Sequence, residues 1–269
     1  MTWIAALPMY DWPELHSDTD ALWASLRRRC LDHGIDAPEK LVRRNSDMPP
    51  VPGGIRSADG SIIAADPATL DPDGLDLAVL WRHPDLLISD TCWGPMELGL
   101  QDHVQVIGQS DYDGITGGTG MFYSSAIIAR KADGKETISP SQAGEALLPV
   151  DYFHQKTVAF NERHSLSGYL ALKRDLEAVG ASLALFGGVV ETGSHRACVA
   201  AIAEGRADIA AIDCKSWMLA QRYEPAAQNL HVIGWTARRK GLPFIQARHP
   251  STPRRSAISH LMSLPSICH

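Results

Sequence analysis

Three short stretches in the second half of the chain carry residues that could hold an anion. The first, Thr157–Gly180 (TVAFNERHSLSGYLALKRDLEAVG), reads as a strand, a polar loop and an amphipathic helix entered through Ser165-Leu166-Ser167-Gly168. The first turn of a helix presents unpaired N–H groups and the positive end of its dipole, and neighbouring hydroxyls add donors that rotate to suit a ligand. A phosphate, phosphonate or carboxylate fits that environment. Serine is also a favoured helix cap in any protein, so capping alone accounts for the same residues. The second stretch, Phe186-Gly-Gly-Val-Val-Glu-Thr-Gly-Ser-His195, repeats the device. It leads out of a strand into a helix starting near Ser194, with His195 in the first turn, where a ring nitrogen could donate; a structural or solvent-facing role is the plain alternative. The third, Arg206-Ala-Asp-Ile-Ala-Ala-Ile-Asp213, is an apolar strand ending in a carboxylate. Asp213 could accept from a ligand hydroxyl, an amine or a protonated phosphate oxygen, or it could cap the next helix. Trp93, in the turn Thr91-Cys92-Trp93-Gly94-Pro95, and Tyr10, after the first strand, are aromatics at strand ends that could close over a ligand or simply pack.

These residues need a sheet to position them. Apolar, β-branched segments alternate with amphipathic stretches, the pattern of βαβ units around a largely parallel sheet. Strands are expected at Thr2–Leu7, Leu75–Leu80, Leu86–Ser89, Val104–Gly108, Tyr123–Arg130, Thr157–Phe160, Ser182–Phe186, Asp208–Ile212 and His231–Trp235. Helices are expected from Asp18 or Thr19 to Gly34, from Tyr169 to Gly180, and from Ser194 to Gly205. Open α/β sheets bind ligands at the carboxyl ends of their strands, where all three stretches would sit. Residues 46–74 and 109–120 are rich in Pro, Gly and Asp and read as loops, the second as a crossover between lobes.

Composition narrows the function classes. The 269 residues carry 31 acidic and 25 basic side chains, a formal charge of −6, which argues against general binding of nucleic-acid backbones. Five cysteines (Cys30, Cys92, Cys198, Cys214, Cys268) show no C-x-x-C spacing, so neither a disulfide framework nor a zinc site is encoded locally, and no metal or cofactor is expected. The start, MTWIAALPMYDW, lacks a basic leader region and is broken by Pro8. As written the chain reads as cytoplasmic, or as periplasmic if a leader was removed. No apolar run is long enough to span a membrane. After Glu224 the chain has no acidic residue, while Arg238, Arg239, Lys240, Arg248, Arg254 and Arg255 are basic: a solvated face, or a patch for an acidic partner.

The ordered set SxSGYL, TGSH and A-E-G-R-A-D-I-A-A-I-D resembles the substrate-binding proteins of phosphonate, phosphite and phosphate ABC transporters, over residues 75–250 and most specifically over Phe160–Trp217. The resemblance implies a two-lobe, type II periplasmic-binding-protein-like α/β fold with the second lobe inserted in the first. The lobes are expected at 1–107 with 221–269, and at 108–220. It implies that Ser165, Ser167 and the Gly168 amide grip a small oxyanion, that His195 donates and Asp213 accepts, and that Tyr10 and Trp93 come from the first lobe. It implies that Glu191 sits near a position that can recognise a ligand amine. The expected partners are the oxyanion and an ABC transporter permease, with no nucleic acid and no membrane insertion, and the protein itself a monomer or dimer. This chain departs from the family pattern in carrying Leu166 between the two serines, in a start that does not read as a leader, and in reading Cys-Trp-Gly-Pro at the aromatic turn.

Three functions compete: a binding protein that closes over its anion, an enzyme of cofactor biosynthesis on the same fold, and a cytosolic ligand sensor. For catalysis His164, His195, Cys92, Cys214 and Glu191 could supply acid, base or nucleophile, but none stands in a catalytic signature. Binding without catalysis is the reading the residues favour.

Overall fold

The computed structural model describes residues 3–131 and 136–248. Thr2, Arg254, Arg255 and Cys268, named above, lie outside them. The strands of the two main sheets are β1 (Ile4–Ala6), β2 (Leu86–Asp90), β3 (Val104–Gln109), β4 (Ser125–Arg130), β5 (Thr157–Phe160), β6 (Gly188–Glu191), β7 (Ile209–Asp213), β8 (Leu230–Trp235) and β9 (Pro243–Ala247). The helices used below are α1 (His16–Asp32), α2 (Leu77–Arg82), α3 (Trp93–Glu97), α4 (Val150–Phe153), α5 (Ala171–Ala178), α6 (His195–Ala203) and α7 (Cys214–Tyr223).

The chain divides into two compact units, one built from the chain up to Ser110 and again from Leu242, the other from Asp111–Gly241. The second is therefore inserted in the first. In the first unit the sheet order is β1-β2-β9-β3, with β1 and β2 parallel and the returning β9 antiparallel to both its neighbours. Alternation along β1 sends Ile4 and Ala6 to one core with Leu80, Trp81 and Met96, and Ala5 and Leu7 to another with Trp23, Leu26 and Cys30 of α1.

In the second unit the order is β6-β5-β7-β4-β8. β5, β6 and β7 are parallel, as βαβ connections through α5 and α6 require, while β4 runs antiparallel to both its neighbours, β7 and β8, so the sheet is mixed. Ile127, Ala129, Val158, Ile209 and Ala211 form its core with Leu172 and Leu176 of α5. α6 buries Cys198, Val199, Ala201 and Ile202 and packs on β5 and β7.

The return to the first unit comes after Gly241, not at the expected 220/221. Three contacts hold the intervening segment in the second unit. β8 pairs with β4, Arg239–Lys240 pairs with Phe122–Tyr123, and Arg239 forms a buried ion pair with Asp175 of α5. Leu75–Leu80 is not a strand: Asp76 accepts from the Val79 amide (3.0 Å) and starts α2, whose apolar run is buried as a helix. Ser182–Phe186 is not a strand either, because Ser182 Oγ caps the Ala184 amide (3.3 Å) and folds a single 3-10 turn. The strand comes later, at β6, where Gly187 and Gly188 let the chain approach Gln155 and Thr157; a Cβ at 187 would lie 2.7 Å from the Gln155 carbonyl.

Candidate functional site

All three anion-suited stretches end at the carboxyl edge of the β6-β5-β7 part of the second sheet. β5 runs out at Phe160, and the loop after it enters the helix at Ser165. The residues Leu166–Leu170 form a wide π turn, in which the Leu170 amide reaches back to the Ser165 carbonyl (3.0 Å) before α5 begins. Such turns concentrate at functional sites. Ser165 Oγ accepts from the Gly168 amide (3.2 Å) and lies 3.2 Å from Ser167 Oγ. Both serines are buried, so their hydroxyls are held rather than solvated.

β6 leads through Thr192 and Gly193 to Ser194, whose Oγ caps the Ala197 amide (3.1 Å) and starts α6 with His195 as its first residue. The ring turns toward the serine turn, and His195 Nε2 is 2.8 Å from Ser167 Oγ. The same nitrogen is 3.4 Å from Asp213 Oδ2. Asp213 takes the capping role with one oxygen and turns the other toward His195. Oδ1 caps α7 by accepting from the Lys215 (3.1 Å) and Ser216 (2.9 Å) amides, and Oδ2 faces His195. Ser165, Ser167, Gly168, His195 and Asp213 are thus brought together, flanked by the amino-terminal turns of α5 and α6, whose dipoles both favour negative charge.

Burial lowers the His195 pKa below the usual histidine value, and the nearby Asp213 only partly opposes this. The ring is therefore neutral near pH 7. His195 Nδ1 is buried with no hydrogen-bond partner. In a hydrolytic triad the serine and the carboxylate must hold opposite ring nitrogens, so that one proton is taken while the other is oriented. Here both face Nε2, and no relay exists. The other catalytic candidates are equally unsuited. Cys214 and Cys92 are buried, and burial together with Asp213 pushes the Cys214 thiol far up. His164 is largely exposed beside Glu162 (3.3 Å). Among the described residues no group of three His, Cys, Asp or Glu could hold a metal.

The other expected residues stand on other elements. Glu191, at the end of edge strand β6, is half exposed and pairs with Arg163 (3.6 Å) rather than with the serine–histidine cluster. Tyr10 and Trp93 belong to the first unit: Tyr10 follows β1, and Trp93 opens α3 and packs against the core that contains Ile4 and Leu80. Two polar residues beside the cluster escape a reading of the sequence. Asn161, directly after β5, presses its side chain on Gly168, where a Cβ would meet Oδ1 at 2.2 Å; that oxygen is buried without a partner. An asparagine at a strand end just before the serine turn was the available signal. Ser125, opposite Asp213 in the β4/β7 register, also has a buried hydroxyl with no partner. Only the strand pairing brings it there.

The family model described as the periplasmic substrate-binding protein of phosphonate ABC transporters matches residues 94–262, more than half of the chain. A search of curated proteins finds no match. Among solved structures, PhnD1 of Prochlorococcus marinus in complex with methylphosphonate is similar with a TM-score of 0.61 at 15% identity, covering 96% of this chain and 82% of that one. A binding-protein component of an ABC phosphonate transporter from Pseudomonas aeruginosa gives 0.54 at 13%, covering 96% and 71%. A Xanthomonas citri protein bound to ATP gives 0.57 at 11%, covering 96% and 81%. These structures share the fold, a two-lobe α/β architecture of the periplasmic-binding type. Among the described residues no helix is long and apolar enough to cross a membrane. The extent of the family match decides the matter: this chain is a member of the periplasmic substrate-binding proteins of phosphonate ABC transporters, a family of binding components rather than enzymes.

Proposed function

We propose that this protein binds a phosphonate or closely related oxyanion at the serine turn and α6 of its second unit. Ser165, Ser167 and the amides around Gly168 donate to the anion, His195 donates from Nε2, and Asp213 Oδ2 accepts from a protonated oxygen of the ligand. The 2.8 Å approach of His195 Nε2 to Ser167 Oγ carries the reading, because it converges donors from two helix amino termini on one spot. The family supports a phosphonate as the ligand, an ABC permease as the partner that receives it, and the periplasm as the compartment.

A thermal-shift and calorimetric screen against methylphosphonate, phosphate, phosphite, a sulfonate and a carboxylate tests this. Selective binding of a phosphorus oxyanion is expected. A carboxylate that binds while every phosphorus oxyanion fails would overturn the assignment.

A further inference from the structure

Beside the serine turn the second unit contains a cavity of about 80 Å³, several times the ~10–15 Å³ that one water needs. Phe160, Tyr169, Leu172, Leu183 and Val189 line it, together with Gly168. The lining is almost wholly apolar, so the space offers water few partners and suits hydrocarbon. Its one charged lining residue is Arg163, a largely exposed side chain paired with Glu191. The guanidinium stands 5.5 Å from the Phe160 ring and 5.7 Å from the Tyr169 ring. A cation is thus fixed at the solvent side of an apolar space.

We propose that this cavity is a subsite for the apolar substituent of the bound oxyanion, which makes the protein selective for phosphonates bearing a short alkyl chain over methylphosphonate and phosphate. The proposal rests on the anion-binding reading above and adds the substituent to it. Gly168 connects the two regions, since its amide bonds Ser165 Oγ in the anion turn while its own surface lines the cavity. The space a side chain at 168 would take is filled by Asn161, so a substituent enters the apolar space beside the glycine backbone rather than through it. The rings of Phe160 and Tyr169, 4.8 Å apart and tilted to one another, give the alkyl chain an aromatic wall. Val189 is 54% exposed on edge strand β6, an apolar surface that an alkyl group would cover.

Calorimetric titration of the full chain with phosphate, methylphosphonate, ethylphosphonate and propylphosphonate tests the subsite. Affinity should rise about fourfold per added methylene, the ratio expected for burying each in an apolar space. Val189→Phe fills the cavity from the edge strand. It should leave methylphosphonate affinity within about twofold and remove most of the gain for propylphosphonate. Leu183→Phe, which fills it from another wall, gives the same test should Val189→Phe fold poorly, with melting temperature as the control. Equal affinity for methyl- and propylphosphonate in the unmodified protein would overturn the subsite alone, as would a gain that survives both filling substitutions. No binding of any of the four anions would overturn the anion site and the subsite together.

Discussion

His195 Nε2 stands 2.8 Å from Ser167 Oγ, and it is the same nitrogen that faces Asp213 Oδ2 at 3.4 Å. That shared nitrogen sets the arrangement apart from a Ser-His-Asp triad, in which the serine and the carboxylate hold opposite ring nitrogens. A donor that faces a hydroxyl and a carboxylate at once can be handed to an oxyanion together with both, but it cannot relay a proton from one to the other.

Ser167→Ala should weaken oxyanion binding by roughly 1–3 kcal/mol, the cost of leaving a buried charged acceptor short of a donor. Ser167 anchors no backbone cap in the way Ser165 does, so the melting temperature should barely change. Calorimetry of the variant checks both, and unchanged affinity would remove Ser167 from the site.

Acid should destabilise the fold in a defined window. The folded His195 pKa lies below the usual 6.5, so as pH falls through 6.5 the unfolded chain takes up a proton that the folded chain refuses. Stability present above that pH is lost down to the folded value and then levels off. His83, buried in the first unit, is lowered for the same main reason and adds to the same slope. His195→Gln should make the fall in melting temperature between about pH 7.5 and about pH 5.5 shallower. An identical slope would show that His195 is not held neutral by burial.

Gly168→Ala would place a Cβ 2.2 Å from Asn161 Oδ1 and 3.6 Å from His195 Cε1. The expected cost is about 1–3 kcal/mol of stability, with weaker anion binding. Because the clash is with the far end of one side chain, Asn161→Ala in the same molecule should recover most of the stability. Additive losses in the double variant, read from chemical denaturation, would contradict the contact.

Asp175→Asn should cost more than any substitution in the anion cluster. Asp175 accepts from the Ala237 amide (2.8 Å) and pairs with Arg239, both side chains being largely buried. Leaving Arg239 without its carboxylate is expected to cost roughly 3–5 kcal/mol. A loss under about 1 kcal/mol, measured by denaturant unfolding, would mean that the pair behaves as a surface one.

What the sequence reveals here follows how local each feature is. Ser165, Ser194 and Asp213 are legible because a helix cap is written within three or four residues, and the glycines that stop α1, α5 and α6 (Gly34, Gly180, Gly205) all adopt positive φ. Elements that depend on distant neighbours are not. Leu75–Leu80 and Leu77–Arg82 share the same apolar run, and periodicity cannot separate a buried strand from a buried helix over so few residues. β9 hides in a basic segment because its place between β2 and β3 is decided by pairing more than 130 positions away. The pairing of Glu191 with Arg163 is hidden for a similar reason, because Arg163 comes from the loop after β5, on the neighbouring strand. The placement of Ser125 rests on strand register, which a linear reading does not contain, and of the close approach of Asn161 to Gly168 the sequence shows only an asparagine at a strand end.

The most direct measurement is a titration of the isotope-labelled protein with methylphosphonate, followed through the histidine ring nitrogens by NMR. The account predicts a saturable change at His195 Nε2, with the other histidines unaffected and the response lost in Ser167→Ala at the same ligand concentration. Binding detected by calorimetry while the His195 nitrogens stay unmoved would contradict it, placing the anion away from the α5 and α6 amino termini.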